Sequence, residues 1–384
     1  MTALFWLGVG WLAYVYVGYP LVLAALGVVR RVRPIVREDG LPSVSVLLAA
    51  RNEERDIAWK VRQTLDWDYP GERLEILVAS DASTDRTDDL VREIEDPRLR
   101  FLRLDERVGK NAALNELARR ATGDLLFFTD ANSSIDRAAL RRIAGHFADL
   151  RVGCVTGEMD EVADSSIGDG ARAYWGYESL VKRLESRVGS VLVCVGSVFA
   201  IRRALFSPLD AATANDLDLP LQIGHAGYWV RYEPAARSVE PAAGSPREEF
   251  QRRRRICAQG LLGMWRLRHT LRGLRGWQFV SRKFLRWLIL APMALILLSS
   301  ALLAAEGGVF LGLLVLQVGF YALALIGWVR SRRGHRGGRV LSLPFYIVLV
   351  GVAGFTGILD ACRGRRFHVW EVAALSRGRS VGRA

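Results

Sequence analysis

The stretch Leu125-Leu126-Phe127-Phe128-Thr129-Asp130-Ala131-Asn132 is an apolar run that ends on two oxygen-bearing side chains. A short run of this kind reads as a strand buried on both faces. The same grammar recurs upstream: Val44–Ala49 leads into Arg51-Asn52-Glu53-Glu54, and Leu74–Ala79 leads into Ser80-Asp81. Helical patterns lie between and after these runs, at Ile57–Trp67, Arg86–Glu95, Asn111–Ala121 and Arg137–Ala148, with a further strand at Leu99–Leu104. Strands alternating with helices of this length predict an α/β domain built on a Rossmann-like, mostly parallel, doubly wound sheet. Ligands of such sheets sit beyond the carboxyl ends of the strands, where the polar clusters fall here. A nucleotide-like ligand follows. Neither G-x-G-x-x-G nor G-x-x-x-x-G-K-[ST] occurs, so a dinucleotide fold and a P-loop are unsupported.

Each polar cluster suggests a chemistry and a plainer alternative. Asp130 and Asn132, two apart at a strand end, suit one hard cation, Mg2+ or Mn2+, which prefers oxygen donors and keeps positions open for phosphate. The alternative is an Asx turn capping the next helix. Lys110-Asn111 opens a helix, and both the cation and the helix start favour phosphate. Asp85 suits the N-cap of the helix after it, leaving Asp81 to accept hydrogen bonds from a ligand. Asn215-Asp216-Leu217-Asp218 precedes an apparent strand at Tyr228–Tyr232. Asp216 or Asp218 is a candidate general base there, unless both cap a helix. Four consecutive arginines, Arg252–Arg255, match phosphate oxygens by paired hydrogen bonds.

Charge and hydropathy then divide the chain. Its 384 residues carry a net charge of +13, yet the mean hydropathy is +0.14. A soluble nucleic-acid binder carries such a charge but is rarely net hydrophobic, so no nucleic-acid partner is expected. Four stretches contain no charged residue: Leu4–Val29, Trp287–Ala305, Gly307–Val329 and Val340–Leu359. Each is long enough for the roughly 20 residues of a spanning helix. Trp6, Trp11, Tyr14, Tyr16 and Tyr19 in the first suit a membrane interface, and the run is too long for a signal peptide. Arg30, Arg31, Arg33 and Arg37 follow it, which places the N-terminus outside and the central domain in the cytoplasm.

The expected organisation is a spanning helix at 1–29, a cytoplasmic catalytic domain at 41–250, basic amphipathic interface helices at 251–286, a spanning region at 287–359 and a basic tail at 360–384. Glu306 marks an outer turn, and Arg330, Arg332, Arg333, Arg336 and Arg339 an inner loop. The last span crosses fully, or it breaks at Gly351, Gly354 and Gly357 into a re-entrant helix that returns the tail to the cytoplasm. Thr270–Arg286 mixes apolar and basic residues, as a helix on anionic lipid does; a solvated linker is the alternative. The chain is thus expected in the inner or plasma membrane, crossing it several times, with membrane lipid as a partner. Cys154, Cys194, Cys257 and Cys362 form no ligand or disulfide pattern.

In this order the motifs resemble the membrane-embedded family 2 glycosyltransferases, among them cellulose, hyaluronan and chito-oligosaccharide synthases, whose soluble part has the GT-A fold. The resemblance implies a nucleotide-sugar donor, UDP-linked, and an inverting transfer to a glycan or lipid-linked acceptor in exopolysaccharide or envelope-glycan synthesis. It implies nucleotide contacts from Ala50, Asn52, Glu53, Asp81, Lys110 and Asn111, and a cation at Asp130 and Asn132 in the DxD position. Gly196 and Ser197, with Phe199–Arg203, look like the acceptor-side loop, and Asp216 holds the place of the base. Gln251 and Arg254 satisfy Q-x-x-R, but Arg255 stands where tryptophan belongs. The register shifted by one, Arg252 to Arg255-Ile256, keeps the arginine and loses the glutamine. Asn132 and Asn215 replace acids of the family pattern. Long-polymer processivity is therefore in question. Single-sugar transfer to a lipid carrier is the alternative within the class. An inactive scaffold in an envelope-glycan complex, with export partners, is the alternative outside it.

Overall fold

The computed structural model describes residues 1–30, 35–36, 40–162, 168–305, 307–335 and 338–365. Arg31, Arg33, Arg37, Glu306 and Arg336, used in the orientation argument, lie outside the described residues, as does the tail from Arg366 onward. The chain opens with helix α1 (Thr2–Arg30) and then enters the α/β domain.

Strands β1 (Val44–Ala50), β2 (Leu74–Asp81), β3 (Leu99–Leu104) and β4 (Leu125–Thr129) pair in parallel in the order β3-β2-β1-β4. Helices α2 (Ile57–Leu65), α3 (Thr87–Arg92) and α4 (Lys110–Arg120) supply the crossovers that parallel strands require. Every residue of β1 is buried: Val44, Val46, Leu48 and Ala50 enter one core, and Leu47 and Ala49 the other. That two-sided burial is why the strand reads as a continuous apolar run.

Beyond β4 the sheet is mixed. The short β5 (Ser134–Ile135) is followed by α5 (Ala139–Gly145), β6 (Val152–Val162) and α6 (Gly168–Arg187). Strand β7 (Phe199–Arg202) runs antiparallel between β4 and β6, and β8 (Trp229–Pro241) pairs in parallel with β6. This corrects the expectation of a loop at Phe199–Arg203. Phe199 is fully buried and stacks on Phe128 with ring centroids 4.5 Å apart. The turn is confined to the residues just before it, Gly196 and Ser197 among them.

Helix α7 (Asn215–His225) lies between β7 and β8, and α8 (Pro246–Arg266) follows. Ser245 caps α8, its hydroxyl accepting the Glu248 N–H. The remaining helices are α9 (Gly273–Trp287), α10 (Leu290–Leu303), α11 (Gly308–Arg332) and α12 (Gly338–Cys362). Helices α1, α11 and α12 are each long and apolar enough to cross a membrane. Helix α10 has only 14 residues and meets that test only jointly with α9, the pair being bent by 58°. The broken segment is therefore the second one, and α12 is continuous. Its glycines serve close packing instead. A Cβ at Gly354 would lie 3.1 Å from the Trp287 carbonyl oxygen, and one at Gly357 2.6 Å from that of Arg254.

Candidate active site

The loops after β1 and β2 are knitted into one rim. Asn52 and Ala82 adopt φ of +51° and +48°, a region that non-glycine residues enter at a cost. The Asn52 side-chain oxygen accepts the Thr84 N–H at 2.8 Å, and the Thr87 hydroxyl accepts the Glu53 N–H at 2.8 Å. The Arg51 guanidinium donates to the Ala82 carbonyl at 3.0 Å and to that of Asp81. Asp81 is buried, and its carboxylate accepts the N–H groups of Val108 at 2.7 Å and Gly109 at 3.1 Å. It is thus engaged by the chain itself rather than left free. It fixes the turn at Gly109, whose φ of +90° suits glycine, and so aims Lys110 from the start of α4. Ala50 is buried at the end of β1.

Lys110 reaches across the strand ends to Asp130, with Nζ 2.5 Å from Oδ1. Asn111 donates to the carbonyls of Asp210 at 2.6 Å and Thr213 at 2.8 Å, holding the approach to α7. That helix places Asp216 opposite Gly196, where a Cβ would lie 3.8 Å from Asp216 Oδ2. Asp218, the other candidate base, is buried and accepts the Thr213 hydroxyl at 2.6 Å. It supports the loop, and only Asp216 faces the cavity.

That cavity, of about 970 Å3, has Lys110, Asn111, Asp130, Gly196, Ser197 and Asp216 at one end. It is also lined by Glu178, Glu240, Arg255 and Lys283, and by Phe5, Leu12, Met293, Leu316 and Ile347 of α1, α10, α11 and α12. Ala50, Asn52, Glu53, Asp81, Asn132, Gln251 and Arg254 are not among its lining residues. On α8 the lining positions are Arg252, Arg253, Arg255, Ile256, Gln259 and Gly260, one helical face. Gln251 is exposed, and Arg254 points away to pair with Asp360 of α12. The face turned to the cavity is thus that of the shifted register.

Most cations along the cavity are already neutralised. Lys182 pairs with Glu158 at 3.2 Å, Arg252 with Glu161 at 2.8 Å, and Arg253 with Glu249 at 2.7 Å. Arg282 pairs with Glu178 at 2.7 Å and also with Glu185, Arg286 pairs with Glu178, and Arg255 is engaged as well. Burial raises the Asp216 carboxyl above its usual range. The Asp130 charge adds to this, while Lys283 and then Lys110 oppose it. Burial, and then Asp130, likewise raises Glu240, which the Ser197 hydroxyl bonds. Lys60 of α2 is fully buried under the Asp130 loop and donates to the Ser133 carbonyl at 2.7 Å. Burial lowers its pKa to about 7, against the opposing pull of Asp130 and Glu240.

The donor set fits a hard divalent cation only in part from protein. Asp130 and Glu240 bring carboxylates to one cavity, and no group of three or more His, Cys, Asp or Glu side chains forms a metal cluster among the described residues. Such a set suits a cation completed by diphosphate oxygens. Sequence reasoning missed Glu240, Lys60 and Glu178. Glu240 ends a long strand with no motif, and Lys60 looks like any surface helix lysine. Lys283 falls within the basic stretch Thr270–Arg286, where nothing in the sequence singles it out.

A family model described as Glycosyl transferase family 2 matches residues 45–209, the span from β1 through β7 to the approach of α7. Those residues form a family 2 glycosyltransferase domain. The domain's chain is 29% identical over 212 residues to a probable glycosyltransferase, YdaM, of Bacillus subtilis, covering 51% of this chain and 50% of that protein. It is 31% identical over 167 residues to a beta-monoglucosyldiacylglycerol synthase of Synechocystis, covering 40% of this chain and 35% of the relative. The chain thus spans half or less of the length of these curated relatives. A mannosyltransferase from Pyrobaculum calidifontis, solved with GDP-Man and Mn2+, superposes with a TM-score of 0.70 at 22% identity, over 92% of this chain and 99% of that one. The glycosyltransferase domain therefore has the GT-A-type mixed sheet.

Proposed function

We propose that this chain is an inverting glycosyltransferase that moves one sugar from a nucleoside diphosphate sugar to a lipid-linked acceptor drawn from the membrane. The observation that carries this reading is the single cavity joining Asp216, Asp130 and Lys110 to a groove among apolar helices. A soluble acceptor needs no such extension. A relative named for the synthesis of a glucosylated diacylglycerol supports a lipid acceptor. The loss of the glutamine and tryptophan of Q-x-x-R-W on the cavity face argues for one transfer rather than many.

In this mechanism Asp216 takes the proton of the acceptor hydroxyl as its oxygen attacks the anomeric carbon. The bond from that carbon to the diphosphate breaks, and the nucleoside diphosphate leaves. Burial suits Asp216 to the task, because a raised pKa makes a stronger base. Asp130, with Asn132 and Glu240 nearby, is the place for Mg2+ or Mn2+. A bound cation would neutralise charge on the leaving diphosphate. Lys110 and the cavity-facing Arg255 add positive charge along the path. Gly196 and Ser197 shape the acceptor end, Gly196 keeping open the space before Asp216. The loops at Asn52 and Asp81 form the nucleotide side. The catalytic domain faces the cytoplasm in this reading, with α1, α11 and α12 crossing the plasma membrane, and the product enters envelope-glycan synthesis.

The resemblance favours UDP, whereas the mannosyltransferase of similar fold holds GDP-Man. The test is therefore a panel of UDP- and GDP-linked sugars with Mg2+ or Mn2+ and membrane lipid extract. Asp216→Asn is expected to lower the transfer rate by about 10²–10⁴-fold. Full activity in that variant overturns the assignment of the base.

A further inference from the structure

Lys283 differs from the other cations along the cavity. They are engaged as given above, but Lys283 has no hydrogen bond or ion pair among the described residues. It is half-buried on α9, inside a wider π turn at Val280–Phe284, a distortion common at functional sites. Its neighbour Arg282 is fully buried between Glu178 and Glu185, which pins this turn against α6. Its charge acts on both Asp216 and Glu178. It lines the same cavity as Asp216 and as the apolar residues of α1, α10, α11 and α12.

A half-buried ammonium without a partner loses hydration that an anion restores. Lys110 is paired with Asp130, whereas Lys283 enters the cavity from α9, the helix that joins the apolar α10. Resting on the lipid-acceptor reading above, we propose that Lys283 binds a phosphate carried by the acceptor lipid, between its tail and the hydroxyl that Asp216 deprotonates. The phosphate is a handle and takes no part in the bond changes. Lys283 is a specificity residue for anionic over neutral lipid acceptors.

The test uses the full chain in nanodiscs of neutral lipid and measures binding, so it does not depend on knowing the sugar. The probes are a long-chain alkyl monophosphate, the matched alcohol and inorganic phosphate. The alkyl phosphate is expected to bind about tenfold or more tighter than the alcohol, the scale of one charge-assisted hydrogen bond. Inorganic phosphate at equal concentration does not displace it. Lys283→Met abolishes the preference, Lys283→Arg retains it, and nucleoside diphosphate affinity is unchanged in both, which also reports that they fold. Equal binding of phosphate and alcohol overturns the proposal, as does a preference that survives Lys283→Met. Loss of nucleoside diphosphate affinity in Lys283→Met also overturns it, because Lys283 would then serve the donor. Absence of sugar transfer to any lipid refutes the functional reading instead, and this binding result stands apart from it.

Discussion

Asp216 and Lys60 show how burial sets chemistry at single positions. Both are charged side chains removed from water near Asp130, and burial pushes them in opposite directions. As the proposed base Asp216 must be ionised, so kcat/KM for transfer is expected to fall on acidification through its raised pKa. The acid limb is expected above the ordinary aspartate value of about 3.9. A limb at or below that value in the pH profile contradicts the burial argument. For Lys60 the sign is reversed. Its folded pKa, near 7, lies below that of the unfolded chain, so the native state binds fewer protons above pH 7. Stability attributable to Lys60 therefore rises from pH 7 toward pH 10, by about 1.4 kcal/mol per unit. Denaturation midpoints at pH 7 and pH 9 should show the advantage of Lys60→Met over wild type shrinking. A constant difference refutes the lowered pKa.

At the scale of elements, the helices hold the site by two contacts that substitution can separate. Helix α12 approaches α8 through Gly357, whose missing Cβ leaves room for the Arg254 carbonyl. Gly357→Val should force the two apart and cost about 1–3 kcal/mol, read as a lowered thermal midpoint. Arg282 ties α9 to α6 through two buried carboxylates. Arg282→Met leaves Glu178 with Arg286 alone and Glu185 without an ion-pair partner, at a cost of about 3–5 kcal/mol. An unchanged midpoint in either variant shows that the contact does not hold the site. The parallel strands were legible because their two-sided burial writes continuous apolar runs: Leu99–Leu104 was bounded to the residue, and Val44–Ala49 and Leu74–Ala79 to within two. Strand β7 was not, because Phe199–Arg202 is only four residues long and pairs with strands distant in sequence. The break between α9 and α10 was also hidden. Glycine spacing pointed to α12, whereas those glycines serve packing against α8, α9 and the start of α10. In the site, Asp130 and Lys110 were readable from helix and strand ends. Residue types alone left Asp216 and Asp218 both open; the family resemblance pointed to Asp216, and of the two only Asp216 lines the cavity.

For the whole molecule, the net charge and the positive hydropathy now have places. Arginines of α8 and α9 pair with Glu161 of β6 and Glu178 of α6, so part of the basic excess joins these helices to the α/β domain. The cavity crosses that join, being lined from both sides of it. The most direct measurement incubates purified full-length protein with a divalent cation, radiolabelled nucleotide sugars and membrane lipid extract, then determines the mass of the labelled product. The account predicts label in the organic phase, as a lipid extended by one sugar, dependent on Asp216. Label confined to a water-soluble polymer, or lipid labelling undiminished in Asp216→Asn, would contradict it.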